Sequence, residues 1–312
     1  MERGSVERVP PATTQRSDDL LSIAHRGFAG IAPENTIAAM RAACGDSADG
    51  PGADMVEIDV QPAANGEPVV FHDLTLGRLT DVPPADRRRR VSETPLETLR
   101  NYSVLGSDER VATFAEVLDA LPADVGVNVE LKHPGTGQPR RELDPRDRSR
   151  GRDRWSPLVE RVVRALDDHR NAALVSSSYE GALAAMRDVA PETPLAYLFW
   201  NSIEAGLAVT ERYDCEAVHP SLDMVRGTDL FNSGYVPTGP FVDVDLVERA
   251  HETGRPVNVW TVTDWHQASQ LRAAGVDGLI ADYPGLTRAT PPRTATDAGR
   301  SAPDASAAMS ND

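Results

Sequence analysis

Ala53-Asp54-Met55-Val56-Glu57-Ile58-Asp59-Val60-Gln61, followed shortly by Phe71-His72-Asp73, is the stretch that decides the fold. Side chains alternate along a strand, so Val56, Ile58 and Val60 share one face while Met55, Glu57, Asp59 and Gln61 share the other. The aliphatic face suits a covering layer of helices. The other face aims two carboxylates at one point, where they repel unless a cation or a proton lies between them. Taken alone, such a strand is equally compatible with a solvated polar face. Two more strands repeat the pattern, however. Leu21-Ser22-Ile23-Ala24-His25-Arg26-Gly27 is an apolar run that ends in a histidine, an arginine and a glycine. In Gly126-Val127-Asn128-Val129-Glu130-Leu131-Lys132 the aliphatic residues face one way, and Asn128, Glu130 and Lys132 the other. Ionisable residues recurring opposite an aliphatic stripe are poorly explained as surface.

Working outward, strand-length apolar runs alternate with helix-period segments from Leu21 to Asp282. Helices are expected over 37–43, 114–120, 157–168, 180–189, 203–211, 243–252 and 265–273. Thr113 and Glu116 form a capping box for the second of these, and Gly275 is the C-terminal stop of the last. An Asn65-Gly66 turn leads into Glu67-Pro68-Val69-Val70-Phe71. The charged, Pro-containing stretch from Leu76 to Arg110 reads as a loop or small subdomain, with Arg87 to Arg90 a solvated turn; 134–154 reads as a mobile insertion. Eight βα units over about 260 residues predict a closed (β/α)8 TIM barrel, whose catalytic residues sit at the C-terminal ends of strands. An open doubly wound sheet is the alternative, but it wants a glycine-rich phosphate loop, and His25-Arg26-Gly27-Phe28-Ala29-Gly30 is not one. One domain is expected over 20–287, with disordered tails at 1–19 and 288–312, where nothing periodic offsets the entropy of ordering.

The formal net charge of the 312 residues is −16, and among 32 basic residues Lys132 is the sole lysine. Such acidity argues against nucleic acid, which needs a basic footprint, and against docking on anionic lipid. It fits a protein kept soluble in concentrated salt, and a GC-rich genome would also favour arginine over lysine. A lysine that survives this depletion points to a task for a compact ammonium, such as meeting a phosphate oxygen. Cys44 and Cys215 are too few for a disulfide framework. With neither an apolar leader nor a run long enough to span a bilayer, the expected setting is a reducing cytoplasm without stable membrane insertion.

The ordered set His25-Arg26-Gly27, Pro33-Glu34-Asn35-Thr36, Glu57-Ile58-Asp59-Val60, His72-Asp73 with Thr75-Leu76, and Glu130-Leu131-Lys132 resembles the glycerophosphodiester phosphodiesterase family. Trp260-Thr261-Val262 and the run from Gly275 to Pro284 match the family's C-terminal signature. The resemblance implies a metal-dependent barrel that hydrolyses a small glycerophosphodiester to glycerol 3-phosphate and an alcohol. It implies that Glu57, Asp59 and Glu130 hold the cation and that His25 and His72 share acid and base work. By the same resemblance, Arg26 and Lys132 meet the phosphate and Trp260 packs against the glycerol or head group. The residue chemistry agrees: carboxylates without thiolates suit a hard cation, Mg²⁺ or Ca²⁺, and two imidazoles with ordinary pKa near about 6.5 can divide proton transfer near neutrality. Thr263 stands where the family usually has Asn, and Ser178-Tyr179 where it has Ser-Phe.

Blander roles compete. Arg26 could pair with a carboxylate such as Glu57, Trp260 could be core, and Asp282 reads as closing the last loop by hydrogen bonding. His133, His169, His219, His251 and His266 read as structural or surface, with His219 the least secure because it ends a strand. Two other functions stay open: a lysophospholipase D-like or other lipid phosphodiesterase on the same barrel, and a non-catalytic phosphodiester-binding barrel.

Overall fold

A computed structural model of the chain describes residues 20–45 and 52–287; the expected tails lie outside the described residues. The strands are β1 (Leu21–Ala24), β2 (Met55–Pro62), β3 (Pro68–Val70), β4 (Gly126–Leu131), β5 (Ala173–Ser177), β6 (Leu195–Phe199), β7 (Ala217–Pro220), β8 (Asn258–Val262) and β9 (Gly278–Ala281). The helices are α1 (Ile37–Cys44), α2 (Leu96–Leu99), α3 (Phe114–Ala120), α4 (Arg148–Asp167), α5 (Glu180–Val189), α6 (Ile203–Arg212), α7 (Leu246–His251) and α8 (Trp265–Ala273). Eight strands run parallel in the order β7-β6-β5-β4-β2-β1-β9-β8, and β3 pairs antiparallel with β2 outside that path. Single parallel bridges, Val218 to Val257 and Ser221 to Trp260, bring β7 against β8 and close the ring at a looser seam. The fold is the expected TIM barrel.

The alternation read from β2 sets the layers. Val56, Ile58 and Val60 join Val127, Val129 and Leu131 in the core between strands and helices, with Phe114, Val117 and Leu118 of α3 packed there too. Fully burying each such side chain contributes roughly 1.5–3 kcal/mol. The opposite face fills the barrel. Its floor is apolar, built from Ile23, Met55, Leu174, Ala196, Ala217 and Ile280. Above that floor the interior turns polar, with Glu57, Asn128, Ser176, His219 and Asn258 all buried.

Local signals place the helix starts. Thr36, Ser202, Asp245 and Asp264 each accept a backbone N–H of the first turn, and Thr113 with Glu116 forms the predicted capping box. Gly27 sits at φ +78, and an added Cβ would stand 2.8 Å from Ala39 and Met40, so α1 can approach the end of β1 only over a glycine.

Two expectations need correction. The stretch 134–154 is not simply a mobile insertion, because α4 begins at Arg148, nine residues before the expected 157. Trp155 is buried against Tyr179, and Gly151 and Gly181 let α4 and α5 approach closely, which extends the helix through Pro157. Helix α7 is shorter than the expected 243–252. Strand β9, the last of the ring, is followed by a turn among the described residues. The region from Leu76 to Arg110 is the small subdomain allowed for, with its own core of Val69, Phe71, Leu76, Leu79, Val91, Leu99 and Val104, while Arg87, Arg88 and Arg89 are exposed.

Candidate active site

Strand register assembles the carboxylates. Parallel pairing of β2 with β4 sets Asp59 beside Glu130 and Glu57 beside Asn128. One oxygen from each of Glu57, Asp59 and Glu130 lies within 4.8 Å of the others, and all three residues are buried. Register also builds the first histidine. Pairing of β1 with β9 matches Ala24 to Ala281, so the next residue of each strand, His25 and Asp282, meet at 2.6 Å through Nδ1 and Oδ1. Asp282 is thus the partner of His25, not merely the closure of the last loop. The other ring nitrogen of His25, Nε2, is 4.0 Å from Glu57 Oε2.

His72 follows β3 and repeats the arrangement, its Nδ1 lying 2.7 Å from Asp73 Oδ1. Gln61, on the interior face of β2, donates to the carbonyls of Phe71 and Asp73 and so pins that corner. Arg78 grips both oxygens of Asp73 and both of Glu34, and Glu34 in turn accepts from Arg26 Nη1 at 2.8 Å. The Arg26 Nε is 3.2 Å from Asp59, while the Arg26 backbone N–H donates to Glu57. Arg26 therefore both lines the site and pairs with carboxylates, Glu34 and Asp59 in place of the considered Glu57. Asn35 donates to Asp59 Oδ2 at 2.7 Å. Lys132 Nζ lies 2.9 Å from Glu130 and 3.3 Å from Asp59.

Electrostatics follows from this packing. Burial first, then Asp59 and Glu130, pushes the Glu57 carboxyl well above its ordinary range. Burial would raise Asp59 too, but Lys132 and Arg26 overcome it and hold that carboxyl well below its usual range. Burial works against the Lys132 ammonium, yet Glu130 and Asp59 outweigh it and raise its pKa. The His25 imidazole is lowered by burial, against the hydrogen bond to Asp282. Buried oxygens Glu57 Oε1 and Asp59 Oδ1 receive no hydrogen bond, although the Lys132 ammonium stands near the latter as an ion-pair partner. Unsatisfied oxygens, a Glu57 carboxyl whose ionised form is disfavoured by burial and by two neighbouring carboxylates, and an all-oxygen donor set together fit a hard divalent cation.

These groups open into a cavity of about 570 Å³ lined by His25, Arg26, Glu57, His72, Glu130, Lys132 and Trp260, seven of the eight residues singled out from sequence. The eighth, Asp59, is buried directly behind. Trp260 is partly buried, packed on the apolar floor as well as facing the cavity; its indole N–H donates to the His219 carbonyl and its ring edges Trp200 at 5.7 Å. His219 is fully buried beneath, and His133, His169, His251 and His266 bond elsewhere and do not line the cavity. Thr263 turns toward Gln267 at the start of α8, away from the site. Arg78, Glu34, Arg141, Trp200 and Tyr235 were not singled out. Glu34 lay in a quoted motif without a role, and the others sit in loops that show no periodicity.

The sequence model described as the Glycerophosphoryl diester phosphodiesterase family matches residues 25–286. The chain belongs to this family. It is a phosphoric diester hydrolase. Among its relatives, "Glycerophosphodiester phosphodiesterase 1" of Bos taurus is 47% identical, with 85% of this chain and 78% of that protein covered. "Glycerophosphodiester phosphodiesterase" of Caldanaerobacter subterraneus is 26% identical, with coverage of 85% and 94%. Among solved structures, an Oleispira antarctica phosphodiesterase in complex with the product sn-glycerol-3-phosphate superposes with TM-score 0.62 at 26% identity, covering 84% of this chain and 92% of that one. No helix among the described residues is long and apolar enough to cross a membrane.

Proposed function

We propose that this chain hydrolyses glycerophosphodiesters to glycerol 3-phosphate and an alcohol, with His25 and His72 as the proton-transfer pair. The observation that carries the reading is the twin carboxylate–imidazole arrangement on one cavity: Asp282 holds His25 and Asp73 holds His72, each through Nδ1. A carboxylate at Nδ1 fixes that nitrogen as the N–H donor and leaves Nε2 to take or give a proton. One imidazole removes the proton from the attacking oxygen as its bond to phosphorus forms. The other delivers a proton to the ester oxygen as the scissile P–O bond breaks, so the alcohol leaves neutral.

Glu57, Asp59 and Glu130 would hold Mg²⁺ or Ca²⁺, which supplies positive charge against the diester and against the charge that gathers in the transition state. Arg26 and Lys132 add to that charge from the chain itself. Both are fixed by Asp59 with Glu34 or Glu130, so they meet the phosphate without reorganising. Trp260 offers an apolar wall to an organic arm of the substrate. The working unit is the barrel of residues 20–287, which needs no membrane insertion.

Purified protein supplied with glycerophosphoethanolamine, glycerophosphoserine and a lysophospholipid tests this. Glycerol 3-phosphate release that EDTA abolishes and added Mg²⁺ or Ca²⁺ restores is the expected result. Turnover of the lysolipid alone would move the assignment to a lipid phosphodiesterase. Binding without turnover would make the barrel a non-catalytic receptor.

A further inference from the structure

The cavity has a second half, of which the reaction described above uses only Trp260. Tyr179 follows β5, Trp200 follows β6, Tyr235 lies in the segment after β7, and Trp260 is on β8; with Leu198 they form one wall opposite the histidines. Over that wall lies Arg141, from the segment between β4 and α4. Its guanidinium carbon is 4.2 Å from the centroid of the Trp200 ring and 5.8 Å from that of Tyr179.

Two features make Arg141 more than a surface arginine. Its position is built. Buried Glu180, the first residue of α5, donates its backbone N–H to the Arg141 carbonyl, and its carboxylate accepts from Leu143 N–H, Arg148, Arg212 and Tyr213. The segment is thus tied down at Arg141 and just beyond it, and before it Arg154 donates to the Gln138 carbonyl. Its charge is also unspent. Arg26, Lys132 and Asp73 at the same cavity are each ion-paired, whereas among the described residues Arg141 has no carboxylate partner, only ring faces.

We infer that Arg141 sets the head-group preference: the site takes glycerophosphodiesters whose alcohol carries its own anion, a carboxylate or a phosphate, and disfavours those that end in a quaternary ammonium. This rests on the phosphodiesterase reading above. The glycerol arm, with two hydroxyls, is matched by the oxygen-rich half around Glu57 and Glu130, so the arm that varies between substrates falls to the aromatic half. Bare indole and phenol faces would attract a cationic head group. Here a guanidinium already occupies the Trp200 face, so a trimethylammonium would meet like charge, and a carboxylate would meet a fork of N–H donors. Attraction for one class and repulsion of the other act at the same atom.

Glycerophosphoserine and glycerophosphoethanolamine differ by one carboxylate, which makes them a matched pair; glycerophosphocholine is the cationic extreme. In wild-type enzyme kcat/KM should favour the serine diester over the ethanolamine diester by about tenfold in low salt, and less in high salt, since Arg141 is exposed and screened. Arg141→Met should lower kcat/KM for the serine diester and raise it for the choline diester, each by about fivefold, and Arg141→Glu should carry both changes further. Opposite movements on two substrates cannot come from general destabilisation. A wild-type preference for glycerophosphocholine, or both variants moving all three substrates together, overturns the inference and leaves the phosphodiesterase reading standing. Turnover of none of the three overturns that reading and this one with it.

Discussion

On one side of the barrel mouth, the ends of β1 to β4 carry His25, Arg26, Glu57, His72, Glu130 and Lys132, nearly every charge tied to another. On the other side, β5 to β8 and their loops carry Tyr179, Trp200, Tyr235 and Trp260, with one unpaired guanidinium above them. Each half depends on a different kind of support. The charged half is held by ion pairs that link His72, Asp73, Arg78, Glu34, Arg26, Asp59 and Lys132 in an unbroken chain. Such a chain keeps buried charges charged and fixed, as chemistry at phosphorus requires. The aromatic half is held by packing and by side-chain bonds to the backbone, such as that from the Thr238 hydroxyl to the Trp200 carbonyl. It can discriminate between substrates, and the proposed reaction takes neither of its proton-transfer groups from it. On the proposed reading, rate belongs to one side and selection to the other.

The sharpest way to break this division is at the histidines. His25→Ala and His72→Ala should each lower kcat by about 10²–10⁴-fold, the range for a lost general acid or base. The melting temperature should barely move, because both rings line the cavity and neither belongs to an apolar cluster. Turnover within a few-fold of wild type in either variant would remove that ring from the proton path. On the opposite wall the expected signature is different. Trp200→Ala should raise KM by about tenfold with little change in kcat, since the lost surface contributes equally to ground and transition states. A fall in kcat with KM unchanged would show that the aromatic half takes part in the chemical step.

How much of this was legible in the sequence follows the same line. The charged half was, because its residues sit on strands and alternation says which side chains share a face. Glu57, Asp59 and Glu130 needed only the period of two, and adjacency of β2 and β4 did the rest. The Asp282 contact was missed because it depends on which strand neighbours β1, and that is decided only when the ring closes. The early start of α4 was hidden by Pro157, a residue that suits a first turn, while Trp155 and Gly151 earn their place only through contact with α5. Arg141, Trp200 and Tyr235 lie in loops far apart in sequence. No local pattern brings them together, and the position of Arg141 is set by Glu180, a helix-start carboxylate that by itself reads as ordinary.

The smallest effect, and the one that separates the two halves by pH, concerns His219. This residue is the last but one of β7, beneath the aromatic wall and fully buried, with Nε2 near the Asn258 amide at 3.1 Å and, among the described residues, no partner at Nδ1. Burial alone lowers its pKa to about 3. On the charged side, burial equally severe leaves Asp59 ionised, because Lys132 and Arg26 face it. The consequences for stability fall in different windows. His219 binds a proton near pH 6.5 in the unfolded chain but not in the folded one, so its contribution is complete above that pH and is lost as pH falls toward 3. By pH 5.5 the loss is about 1.4 kcal/mol. Asp59 has its pKa lowered instead, so its contribution holds down to its unfolded value near about 3.9 and fails only below it. Urea midpoints at pH 7.5 and 5.5, compared between wild type and a His219 variant, therefore isolate the aromatic side. His219→Gln retains an acceptor for Asn258 and should be less stable overall. Its loss between the two pH values should be smaller than that of wild type by about 1.4 kcal/mol, whatever His25 and His133 add to both proteins. An identical loss in the two proteins would mean that His219 finds a proton and a partner within the fold, and the contrast between buried groups kept charged on one side and a buried imidazole kept neutral on the other would no longer hold.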